Sequence, residues 1–106
     1  MSRPTDELLR ESLGMALLER RDELGLSQLQ IATRTGMSQT RISNLEVGDT
    51  GCTVVHLWQL AEALEVTPVE LVERTARAMA VLSDPRMRRI FWLGRARVRA
   101  GKLRTE

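Results

Sequence analysis

Leu8, Leu9, Leu13, Leu17 and Leu24 recur at spacings close to multiples of about 3.6 residues, an apolar stripe that opens at Thr5-Asp6-Glu7 and closes at Gly25. This predicts a first helix over 5–24. A second, over 28–35, begins where Ser27 and Gln30 have capping-box spacing, and it carries Ile31-Ala32 inward before Gly36. Only Met37 and Ser38 separate Gly36 from a third helix over 39–47. There Ile42 and Leu45 face the core, while Gln39, Thr40, Arg41, Ser43 and Asn44 form an unusually polar surface. Gly48-Asp49-Thr50-Gly51 reads as a turn. Val54, Leu57, Leu60, Ala61 and Leu64 then give a fourth amphipathic helix capped by Thr53. Thr67-Pro68-Val69-Glu70 combines an N-cap, proline at the first helical position and glutamate at the third, opening a fifth helix over 68–82. Asp84-Pro85 repeats the cap-and-proline signal. Beyond it Met87, Ile90, Phe91, Trp92, Leu93 and Val98 interleave with arginines up to Gly101, the pattern of a sixth, basic amphipathic helix.

Composition agrees with an all-α chain. Tyrosine is absent, phenylalanine occurs once, and about half of the 106 residues are Ala, Leu, Glu, Lys or Arg. No apolar run reaches the length of a membrane span and the N-terminus lacks a signal peptide's apolar stretch, so a cytoplasmic protein is expected. One cysteine, Cys52, and one histidine, His56, exclude an internal disulfide and do not complete a zinc site, so neither metal nor cofactor is expected. His56 reads as a surface or half-buried residue of helix four, and Trp58 as packing partly into the core or an interface. The net charge of +2 is unevenly spread: residues 1–82 carry 8 basic and 12 acidic side chains (−4), residues 83–106 carry 8 and 2 (+6). The expected organisation is a domain over 1–82 followed by a basic helical arm over 83–106.

Two short helices joined by a glycine turn, the second with a polar face, have the geometry that lets one helix cross a DNA backbone while the next enters the major groove. Over Leu17–Leu71 the chain resembles the Cro and phage-repressor (XRE) helix-turn-helix family. The resemblance rests on Arg21, Leu24-Gly25-Leu26-Ser27-Gln28, Ile31-Ala32, Thr35-Gly36-Met37-Ser38, Ile42-Ser43, Glu46, Gly48, Leu57, Leu60-Ala61, Ala63-Leu64 and Val66. It implies a five-helix Cro/repressor-like domain that binds double-stranded DNA, and an ion pair between Arg21 and Glu46. Cys52 stands where the family often has proline and Glu65 where it often has glycine.

Residue chemistry assigns roles within that frame. Gln39, Thr40 and Asn44, with Ser43 as a secondary contact, are the candidate readers of base edges, because Gln and Asn amides pair with adenine and the Thr methyl touches thymine. Gln28, at the positive end of helix two, and Ser38 are candidate phosphate contacts. Arg41 has a fork that suits a phosphate or a guanine. One such helix reads about 4 to 6 base pairs, so a homodimer is expected, and Val69, Val72, Ala76, Met79, Phe91 and Trp92 are its candidate seam. The basic arm is expected to supply much of the electrostatic attraction to DNA.

Two alternatives accompany this reading. Small XRE proteins with an extra arm also resemble HigA-type antitoxins, which implies a toxin partner. Asp49-Thr50-Gly51 matches the aspartic-protease triplet, but it follows a helix and the chain lacks strand-forming segments, so a non-enzymatic protein is expected.

Overall fold

A computed structural model describes residues 4–94. Its helices are α1 (Asp6–Leu24), α2 (Gln28–Thr35), α3 (Gln39–Glu46), α4 (Val54–Ala63) and α5 (Pro68–Leu82), and the chain is helical again over 85–94, here α6. Each begins at a short polar side chain that accepts a hydrogen bond from a first-turn backbone N–H: Thr5, Ser27, Ser38, Thr53, Thr67 and Asp84. Such caps contribute about 1 kcal/mol apiece and fix where each helix starts. At Ser27 the capping box is reciprocal, with Gln30 accepting from the Ser27 N–H. The expected sixth helix is therefore present as far as residue 94. Its expected continuation to Gly101, with Val98, lies outside the described residues.

α1 packs most extensively on α5 and also on α3, α2 packs on α3 and α4, and α4 packs on α5. Ala16, Leu17, Ile31, Ala32, Ile42, Leu45, Leu60, Ala61, Leu64 and Leu71 form the buried cluster between them. Gly14 sets how closely α1 approaches α3. A Cβ there would lie 2.5 Å from the Glu46 carbonyl oxygen and 2.6 Å from that of Leu45.

One predicted inward position is corrected. Val54 was expected on the core face of α4, yet it is 68% exposed, because it lies in the first turn of α4, at the rim. Trp58, one turn further on, is 58% exposed, so of its two expected places, core or interface, the core falls away.

Long arginines close the α4 C-terminus, whose last carbonyls lack helical partners. Arg20 Nε donates to the Leu64 carbonyl at 2.9 Å, and Arg34 Nη1 donates to that of Ala63 at 2.9 Å. Immediately beyond, Glu65 has φ +57°, a left-handed conformation at a non-glycine residue.

The candidate nucleic-acid interface

α2 and α3 are joined by residues 36–38. Gly36 takes φ +76°, the left-handed conformation that stops α2 and redirects the chain, and Ser38 then caps α3. Arg21, at the end of α1, locks the pair. Its Nε and Nη2 donate to the two Glu46 carboxylate oxygens at 2.6 and 3.0 Å, and its Nη1 donates to the Leu26 carbonyl at 2.9 Å. Gln28 Nε2 donates to the same carboxylate at 2.9 Å. One buried carboxylate thus ties the end of α1, the start of α2 and the end of α3 together. The hydrogen bond to Glu46 raises the Arg21 pKa above its usual value, against the opposing effect of burial.

Ser38, Gln39 and Thr40 are exposed on the first turn of α3 and Asn44 is half-buried one turn further along. These four stand together at the outer surface of the helix-turn-helix. Ser43 does not join them. It is fully buried, one turn before the buried Glu46, and its hydroxyl lacks a hydrogen-bond partner. The expectation of a Ser43 base contact is corrected accordingly. Gln28 is also more constrained than its sequence position suggests, since its amide nitrogen is engaged with Glu46. The backbone N–H groups of the first turn of α2 remain the anion-favouring feature there.

Arg41 is half-buried and turned toward α4, where its Nη2 lies 3.0 Å from His56 Nδ1. That contact, linking residues 15 apart, has no local sequence signal. Cys52 is half-buried nearby, and burial pushes its thiol pKa up despite the opposing charge of Arg41. Asp49-Thr50-Gly51 lies in the turn between α3 and α4, in a frame without strands among the described residues.

Of the expected seam, Val69, Val72 and Ala76 are exposed on α5, whereas Met79, Phe91 and Trp92 are half-buried. The expected seam lay on the fifth and sixth helices, and of α4 only Trp58 was an expected interface residue. Val54 and Val72 line one groove, and Val55 and Trp58 are exposed beside Val54, so the apolar patch spans α4 and α5. The sequence reading missed that Arg88 of α6 holds the fully buried Glu11 carboxylate, with bonds of 3.0 and 3.2 Å. At least this arginine of the arm is engaged with α1 and is not a free cation.

Residues 17–71 match the helix-turn-helix family, a span of more than half the chain. The protein belongs to this family. It is a DNA-binding transcriptional regulator and not an enzyme. A search of curated protein sequences finds no match. Among solved structures, the chain is similar to the restriction-modification controller protein C.AhdI from Aeromonas hydrophila, at 32% identity and TM-score 0.57, over 58% of this chain and 94% of that one. It is also similar to the clp gene regulator ClgR from Corynebacterium glutamicum, at 27% identity and TM-score 0.65, over 73% and 96%. A point mutant of the controller protein C.Esp1396I, bound to its operator, shares the fold at 23% identity and TM-score 0.64, over 69% and 96%. No helix among the described residues is long and apolar enough to cross a membrane.

Proposed function

We propose that the protein is a cytoplasmic, homodimeric repressor that reads a near-palindromic operator with α3. The observation that carries this reading is the exposed polar start of α3, held in register with α2 by the Arg21–Glu46–Gln28 network. Gln39, Thr40 and Asn44 read base edges. Ser38 and the start of α2 at Gln28 hold phosphates. The operator-bound C.Esp1396I structure supports DNA as the ligand of this fold.

Dimerisation follows from the size of the reading surface, because one helix covers only a half-site. The apolar patch of Val54, Val55, Trp58, Val69 and Val72 is the face we assign to it. The domain over 1–82 would then carry both DNA reading and self-association, with 83–106 as an arm. A toxin partner draws no support from the relatives above, which are controller proteins and a clp gene regulator.

Alanine at Gln39 or Asn44 is expected to cost about 1–3 kcal/mol of operator affinity and to relax base preference. Competition titrations with operator and scrambled duplexes check this. Equal losses on both duplexes for the Gln39 variant would remove it from the reading surface.

A further inference from the structure

Arg41 is the one cationic side chain of α3, and the structure gives it an unusual amount of restraint for a residue beside the reading surface. Arginine has five donors and no acceptor, so in the 3.0 Å contact the Arg41 guanidinium donates and His56 Nδ1 accepts. The ring proton is then on Nε2. The Arg41 Nε is itself buried without a hydrogen-bond partner, which closes the side-on fork formed by Nε and one terminal nitrogen. The fork that Nε does not enter is the end-on pair, Nη1 and Nη2, with one Nη2 hydrogen already given to His56. The backbone that carries His56 is itself held, since its N–H donates to the Thr53 hydroxyl that caps α4.

We propose that His56 is a positioning residue for sequence reading: by accepting from Nη2 it holds the Arg41 guanidinium at the α4 edge of the recognition helix, so that its end-on fork meets a guanine edge. This rests on the operator-reading function proposed above and deepens it. The distinction from a phosphate contact is physical. A phosphate also accepts the arginine fork, but its tetrahedrally arranged oxygens offer several such pairs, whereas guanine O6 and N7 are a single pair fixed in the plane of the base. Restraint by a neighbouring side chain therefore matters more for the second than for the first.

The test is selection from a random duplex library by the full-length chain, followed by affinity measurements on the selected duplex, a version with the preferred guanine replaced, and a scrambled one. Wild type, His56→Ala, His56→Gln, Arg41→Ala and the double alanine variant are compared, with thermal melting of each to confirm folding. His56→Ala is expected to lose about tenfold in discrimination at the single guanine position and little on the scrambled duplex. His56→Gln, which keeps an acceptor, is expected to recover part of the loss. The two alanine substitutions should be non-additive, since both remove the same interaction. Equal loss on every duplex, additive effects, or unchanged discrimination in His56→Ala would overturn the proposal. A wild-type protein that selects no sequence at all would instead overturn operator reading itself, and this proposal with it.

Discussion

Single residues carry the clearest consequences of this geometry. Glu65 occupies a left-handed conformation that costs an L-residue about 1–2 kcal/mol, and its ion pair with Arg34 at 3.1 Å is exposed and adds little. Glu65→Gly relieves the strain, partly offset by the greater freedom of glycine in the unfolded chain. We expect a net gain of about 0.5–1 kcal/mol, seen as a rise of a few degrees in melting temperature. An unchanged or lower melting temperature would contradict it. The sequence pointed to this position only through the family's preference for glycine there. Cys52 illustrates the opposite case, because a lone cysteine at a helix entrance suggests reactivity while burial raises its thiol pKa. Its labelling by a neutral thiol reagent at about pH 7 should be slower in the folded protein than after denaturation. Glu23 accepts from Arg74 at 2.7 and 3.1 Å and from Arg20, and these hydrogen bonds lower its pKa below the usual carboxylate value. A carboxylate depressed in the folded state stabilises above its unfolded pKa, and that contribution disappears as pH falls through the folded one. Glu23→Gln should therefore flatten the acid side of the stability profile, as read by denaturant titration between about pH 3 and 6.

At the scale of elements, the starts of the helices were legible because caps act within about four residues, and Gly25 and Gly36 mark where α1 and α2 stop. Thr5, Ser27, Thr53, Thr67 and Asp84 announce their helices from the chain alone, while Ser38 reads as a spacer before α3 and not as its cap. What was not legible depends on which element lies opposite. Ser43 looks like its polar neighbours on α3, and only the packing of other helices on α3 makes it a buried residue. Val54 has core periodicity but stands at the rim. Arg88 and Glu11 are 77 positions apart, so no local pattern joins them. Gly14→Ala pushes a methyl group into two backbone carbonyl oxygens and is expected to cost about 1–3 kcal/mol, measured by chemical denaturation. It should also disturb α3 and weaken operator binding in the folded fraction. If stability were unchanged, the tight α1–α3 approach would be wrong.

For the molecule as a whole, an acidic domain and a basic arm must together bind a polyanion. Arg88 is taken up by Glu11, so the electrostatic share of the arm falls to its remaining cations. Deleting residues 95–106 removes Arg95, Arg97, Arg99, Lys102 and Arg104. We expect this truncation to make the salt dependence of DNA binding shallower, by about 0.9 in log–log slope for each phosphate that the arm neutralises. An unchanged slope would assign the electrostatic term to the helical domain. The central claim is sequence-specific reading by α3, and it is tested most directly by fluorescence anisotropy. The protein is titrated against DNA from immediately upstream of its own gene and against a scrambled duplex of equal length, at two salt concentrations. The account predicts tighter binding to the upstream duplex at both salts, a preference that Gln39→Ala diminishes. Equal binding to the two duplexes, or a preference indifferent to Gln39, would contradict it.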